Sequence, residues 1–184
     1  MNDEPRKRSE GRLDTRLESE GAEFLVLGQL LIHRIAAYKT YTNMPGYDLV
    51  ATDPEHNRSA RIQVKSRWST GARAFLIQNL DCDFVVVVLL NRGSKDGNKQ
   101  VMAPHYYVLP IEIVRSLPRT VGWKKVSLRH IDGLEQYRDA WHLVSSFMST
   151  HQRIGVAKRR FDALNEIHDE DITRLFYGSE DSQR

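Results

Sequence analysis

The 184-residue chain contains a single cysteine, no long apolar run and little excess charge. With Cys82 alone, no disulfide can form within the chain, and we expect a reducing, cytoplasmic location. The longest apolar run, residues 84–90, is far shorter than the ~20 residues that span a bilayer, so we expect no membrane partner. The first residues mix charges without an apolar segment, so we expect no signal peptide.

Several familiar motifs are also missing. The seven histidines do not follow zinc-finger spacing, and no GxSxG, GxGxxG or P-loop pattern occurs. The charge balance, 27 Lys and Arg against 24 Asp and Glu, is +3, which permits a nucleic-acid partner without requiring one. A composition with 40% hydrophobic and 28% charged residues excludes wholesale disorder.

The pattern along the chain predicts one mixed α/β domain, which its length accommodates. We expect a flexible N-terminal tail at 1–12, a core at 13–120 and a helical C-terminal extension at 121–184 packed on the same domain. Apolar residues at helical spacing predict a helix that packs by one face: Leu17, Phe24, Leu25, Gly28, Leu31, Ile32 and Ile35.

Strands and further helices follow this first helix. Strands are predicted at 38–42, 47–52, 60–66, 73–77, 84–90 and 106–109. Pro110 then opens a short helix. An apolar stripe predicts another helix through Leu134, Tyr137, Trp141, Val144 and Phe147, and a final helix is expected at 154–168.

One group of polar residues lies where two predicted strands meet. Asp48 follows a Pro-Gly turn, and Gln63 and Lys65 belong to the next strand along the chain. Side chains alternate along a strand, so Gln63 and Lys65 point to one face, with Val64 turned to the core. A hairpin can therefore bring a carboxylate, an amide oxygen and a lysine to the same end of a sheet.

This combination suits metal-assisted hydrolysis of a phosphodiester bond. Mg²⁺ prefers oxygen ligands and keeps several waters, so Asp48, Gln63 and the Val64 carbonyl could suffice as its protein ligands. A metal ion polarises a phosphoryl oxygen and lowers the pKa of a bound water. Lys65 would orient that water or offset the charge that builds on phosphorus.

The order of these residues resembles that of the PD-(D/E)XK nuclease superfamily, which has the restriction-endonuclease-like fold. More narrowly, Asp48 followed by Gln63-x-Lys65 is similar to the D…QxK motif of some homing endonucleases. The family places a glutamate on the helix before the first strand, where Glu23 lies, with Glu20 one turn earlier as the alternative. The resemblance spans residues 20–109.

The resemblance implies a mixed β-sheet flanked by helices and cleavage of DNA with Mg²⁺ or Mn²⁺. It adds Glu23 to the catalytic residues and metal ligands. It also implies a homodimer or a higher homo-oligomer. The commonest family pattern has an acid where Gln63 stands, and a neutral amide should weaken metal binding.

Basic residues gather near this motif in the sequence. Between residues 54 and 74 they outnumber the single acid, Glu55. The predicted nucleic-acid-binding residues are Arg58, Arg61, Arg67, Trp68 and Arg73. Trp68 could stack on a base or serve as a partly buried anchor.

Two other functions remain open from the sequence. One is a catalytically inactive nucleic-acid-binding module of the same fold. The other is an interaction protein in which the match to D…QxK is accidental, since Asp48 could bond turn amides and Gln63 and Lys65 could lie on a solvated strand face.

Overall fold

The computed structural model describes residues 15–40, 46–94, 96–118 and 124–149. They all belong to one unit, which ends at Ser149. The predicted tail at 1–12 and the helix expected at 154–168 lie outside the described residues. The helices of the described segments are too short or too polar to cross a bilayer.

In the described segments one helix is followed by six strands, a short helix, one more strand and a last helix. The sequence predicted the first helix, the strands that follow it and the short helix, but not the strand at Lys125–Ser127. The helices are α1 (Arg16–Ile32), α2 (Ile111–Ser116) and α3 (His142–Ser149). The strands are β1 (Ala36–Lys39), β2 (Leu49–Asp53), β3 (Arg58–Arg67), β4 (Ala74–Leu76), β5 (Phe84–Leu89), β6 (His105–Pro110) and β7 (Lys125–Ser127).

Five of the strands form a mixed sheet in the order β1-β2-β3-β5-β6. β1, β2 and β3 are successive antiparallel neighbours, β3 pairs with β5 in parallel, and β5 pairs with β6 antiparallel. β4 and β7 form a separate antiparallel pair. The fold class predicted from the sequence, a mixed sheet flanked by helices, is confirmed.

The sheet separates two apolar clusters. One face, which carries Ile62 and Val86, packs against α1 and α3. The other face, which carries Val85 and Val87, packs against α2 and the β4–β7 pair. β5 is buried along its whole length because both of its faces are covered, which explains its unbroken run of β-branched residues.

The packed face of α1 differs from the predicted one. The helix buries Ala22, Val26 and Leu30, which recur every four residues. Most of the apolar residues that predicted the helix lie on its exposed side, including Leu17, at 81% exposure, and Ile32, at 74%. The predicted helix is confirmed, but the predicted buried face is wrong, because the helix carries apolar residues on more than one of its sides.

The predicted helix through residues 134–147 is also corrected. The structure has a 3₁₀ turn at Leu134–Tyr137, then a break, and α3 begins only at His142. Asp139 in the break has a φ of 48°, which a helix cannot accommodate. Trp141 is buried against Tyr106 and His33, so the apolar stripe reflects core packing rather than one continuous helix.

Gly21 offers a test of the exposed face of α1. A Cβ added there would meet nothing within 4 Å. Alanine is favoured over glycine within a helix by about 1 kcal/mol, so we expect Gly21→Ala to raise the melting temperature by about 2–4 °C in thermal unfolding.

Gly46 is the matched control. Its φ is 109°, and a Cβ there would approach the Asp81 carbonyl oxygen to 2.9 Å. Gly46→Ala should therefore lower the melting temperature. A lower melting temperature for Gly21→Ala would contradict the described environment of α1.

Candidate functional site

Asp48 lies just before β2 and is held by both its main chain and its side chain. Its N–H donates to the Ile62 carbonyl at 2.9 Å, and its carbonyl accepts from the Thr40 N–H and hydroxyl, both at 3.0 Å. Its carboxylate Oδ2 accepts from the Val64 N–H at 2.7 Å. The carboxylate is therefore fixed against the edge of β3.

The Val64 N–H needs a hydrogen-bond acceptor that β2 does not supply. β2 begins at Leu49, which pairs with Ile62, so the β2 ladder does not extend to Val64. The Asp48 side chain takes the place of the missing strand by accepting from the Val64 N–H. In a strand, the N–H and C=O of one residue point to the same side, so the Val64 carbonyl also faces this edge.

Glu23 reaches the same place from α1. Its carboxylate is ion-paired with Lys39 of β1, which also contacts Glu20 at 3.0 Å. Burial raises the pKa of Glu23, the bond from Lys39 opposes that rise, and the nearby Asp48 charge adds to it. Glu23 and Asp48 thus face each other closely enough for their charges to interact.

Lys39 holds its proton firmly within this cluster. Burial alone would lower its pKa, but the bonds to Glu23 and Glu20 outweigh burial and raise it. The lysine therefore supplies a fixed positive charge beside two carboxylates.

Lys65 completes a cavity at this edge of the sheet. The cavity has a volume of about 290 Å³, and its described lining includes Glu23, Asp48, Val64 and Lys65. The remaining lining residues are Ser19, Ser66, Arg67, Phe75 and Leu76. Four of the five residues predicted as catalytic or metal-binding thus meet in one cavity.

Gln63 is the fifth, and it does not line the described cavity wall. It lies on β3, where it pairs with Val85 of β5, and is only 8% exposed. Its side-chain oxygen Oε1 is buried and accepts no hydrogen bond from the described residues. A buried acceptor without a partner is costly, and such an atom often has an ion or water as its partner.

The Asp48 carboxylate and the Val64 carbonyl at this edge are oxygens of the kind that a hard cation accepts as ligands. Within the described segments, no three His, Cys, Asp or Glu side chains cluster in a way that could hold a metal. A metal here would therefore depend on Asp48 together with the Gln63 oxygen and the Val64 carbonyl. That set suits Mg²⁺, which accepts amide and main-chain oxygens and retains several waters.

The five residues predicted to bind nucleic acid are not brought together. Arg58 and Arg67 stand at opposite ends of β3, about 30 Å apart at 3.3 Å per residue. Arg61 is bound by Asp83 and Asp81, so its charge is locally neutralised. Arg67 lines the candidate cavity, Trp68 follows it at 50% exposure, and Arg73 lies at a second cavity.

Two contributors to the site were missed from the sequence. Lys39 holds Glu23, and Thr40 holds the main chain of Asp48. Lys39 is the last residue of β1 and Thr40 follows it; β1 is antiparallel to β2, with Lys39 opposite Leu49. The sequence YKTYT predicted a strand in this region. Only the β1–β2 register shows that the end of β1 lies beside Asp48.

Cys82 behaves as the sequence indicated. The thiol is buried, and burial followed by the Asp83 charge raises its pKa to about 11. A thiol with so high a pKa is a poor nucleophile.

The charges around Glu23 lead to a testable result. We expect Lys39→Met to raise the pKa of Glu23 further, because the ionised carboxylate loses its partner. We expect Asp48→Asn to lower it, because a repelling charge is removed. Both can be followed by NMR titration of the Glu23 carboxyl carbon.

Lys65→Met is the control, since Lys65 lines the same cavity without pairing with Glu23. A Glu23 titration that is unchanged by Lys39→Met would show that the ion pair does not form in solution.

Comparison with known proteins shows a likeness in fold. No family model and no curated protein sequence matches this chain. A solved structure of a bacterial homing endonuclease, I-Ssp6803I, is similar, with a TM-score of 0.52 and 21% sequence identity. The match covers 80% of this chain and 97% of the other. This chain therefore shares the fold of a nuclease.

Proposed function

We propose that this protein is a metal-dependent endonuclease of the PD-(D/E)XK type that hydrolyses DNA phosphodiester bonds. The observation that carries the proposal is the meeting of Glu23, Asp48, Val64 and Lys65 in one cavity. Gln63 lies next to Val64 in the chain, and its buried oxygen accepts no hydrogen bond from the described residues. The fold that this chain shares with a homing endonuclease also supports the proposal.

Each residue has a role that its position supports. Asp48, Gln63 and the Val64 carbonyl would hold Mg²⁺ or Mn²⁺, whose chemistry is to polarise a phosphoryl oxygen and acidify a water. Lys65 would orient the attacking water or offset the charge on phosphorus. Glu23 would support the metal or its water, and Lys39 would hold the Glu23 carboxylate in place.

A catalytically inactive DNA-binding module is the second candidate. It is favoured by the amide at Gln63 and by the lack, in the described segments, of three clustered acids or histidines. Such a module would bind DNA in a salt-dependent way and leave it uncut.

The test is nicking of supercoiled plasmid with Mg²⁺, Mn²⁺ or EDTA. We expect cleavage by the wild type with metal only, and a loss of about 100-fold or more in Asp48→Asn and in Lys65→Met, since single charge-stabilising groups are worth that much. Asp132→Asn, at an exposed aspartate outside the cavity, is the matched control and should cleave normally.

The possible outcomes separate the two candidates. Cleavage that survives both Asp48→Asn and Lys65→Met would contradict the site. Salt-dependent binding without cleavage would favour the inactive module, and the absence of both would exclude DNA as the substrate.

We also propose that the chain acts as a homodimer or a higher homo-oligomer. Cutting both strands of a duplex takes two sites, and each chain supplies one. The exposed side of α1 carries Leu17, Phe24, Leu31 and Ile32, all at least 49% exposed. An apolar helix face of this kind often marks a protein interface.

Sedimentation of the wild type and of Leu31→Glu tests this proposal. We expect the variant to sediment as a smaller species, because a charge would be buried in the interface. Met102→Glu, at another exposed apolar residue, is the control and should leave the assembly intact. A monomeric wild type that still cuts both strands would contradict the proposal.

A further inference from the structure

A second cavity lies next to the candidate site and differs from it in charge. Its volume is about 530 Å³, and its described lining contains Arg73, Lys125, Arg129 and His130. Ala74, Pro118 and Ser127 make up the remainder. None of these lining residues is acidic, whereas the first cavity contains Glu23 and Asp48.

The basic residues are displayed by the small β4–β7 sheet and the turn after it. Ala74 pairs with Ser127, and Leu76 pairs with Lys125. Phe75 and Val126, which alternate with these residues, point into the core. The opposite face of the pair is therefore outward, and the 3₁₀ turn Leu128–His130 adds Arg129 and His130 to it.

These basic side chains are available to a ligand. Arg73, Lys125, Arg129 and His130 are all exposed. By contrast, Arg61 is already bound by Asp81 and Asp83. Exposed arginine and lysine side chains that line one cavity with a histidine and without an acid form a surface suited to phosphate.

β4 links this surface to the candidate site. Its residues Phe75 and Leu76 line the first cavity, while Arg73 and Ala74 line the second. Two to three residues of a strand span about 7–10 Å, which equals the rise of about two to three nucleotides at 3.4 Å each. A DNA strand in the first cavity would reach the basic surface within a few nucleotides.

We propose that this basic surface binds the DNA backbone at phosphates two to three nucleotides from the one that is cut. The proposal rests on the proposed function for the location of the cut. It adds three residues to the proposed DNA-binding set, Lys125, Arg129 and His130. All three lie outside the basic stretch at residues 54–74. The surface positions the duplex without reading its sequence, since phosphate contacts carry no base information.

The first experiment measures binding of a duplex by fluorescence anisotropy in EDTA, at a series of salt concentrations. The double variant Lys125→Ala/Arg129→Ala should lower the slope of log affinity against log salt by about 2, at ~0.9 per lost phosphate contact. At 0.1 M salt its affinity should fall about 10- to 100-fold.

Arg34→Asn is the matched control. It removes the same kind of charge from the turn after α1, on the opposite face of the sheet. Asparagine tolerates the φ of 60° found there. This variant should bind DNA with the affinity and salt slope of the wild type, and circular dichroism should show that all variants are folded.

The second experiment localises the contact. Duplexes carry neutral methylphosphonates two to three nucleotides from the mapped cut. This neutralisation should weaken binding by the wild type and leave the double variant unchanged, because the same contact is already lost. Equal weakening of both proteins would overturn the proposal, as would an unchanged salt slope in the double variant.

Two outcomes keep this proposal apart from the proposed function. Binding is measured in EDTA and does not require cleavage. A wild type that never cleaves DNA would contradict the proposed nuclease. A lower salt slope in the double variant would still support DNA binding at the basic surface. If the double variant loses affinity for inorganic phosphate but keeps its affinity for DNA, the surface is a small-anion site and the DNA assignment is overturned.

Discussion

The candidate site depends on the hydrogen bond from the Val64 N–H to the Asp48 carboxylate. β3 continues beyond the start of β2, which leaves its edge exposed at the point where Val64 lies. The Asp48 side chain completes the pairing there, so one residue both satisfies the strand edge and presents a carboxylate. Thr40 fixes the Asp48 main chain from β1, and the site is therefore built into the sheet rather than placed on a flexible loop.

The balance of charge around this bond explains how two acids can share one cavity. Glu23 and Asp48 repel each other, and burial adds to the cost of ionising Glu23. Lys39 opposes both effects by pairing with Glu23, but the pKa of Glu23 is still raised on balance. The proposed cation would reduce the repulsion between the two carboxylates.

The basic surface across β4 and β7 extends this division of charge. We propose a cation in the first cavity and phosphate at the second, and one short strand contributes to the lining of both. Such an arrangement separates the place where DNA would be held from the place where it would be cut. The small net charge of +3 conceals this separation, because acidic and basic groups are segregated rather than absent.

The sequence by itself determined the mixed α/β class, the first helix with the strands that follow it, and the pairing of Asp48 with the QxK strand. These follow from local periodicity and from the alternation of side chains along a strand. The sequence missed the strand at Lys125–Ser127 and the break before α3. Only the tertiary structure decided which face of α1 is buried, because apolar residues surround that helix. It alone placed Lys39 beside Glu23, separated Arg58 from Arg67 and brought Arg73 together with Lys125 and Arg129. Those relations depend on strand register and on contacts between distant segments, and spacing along one chain does not encode them.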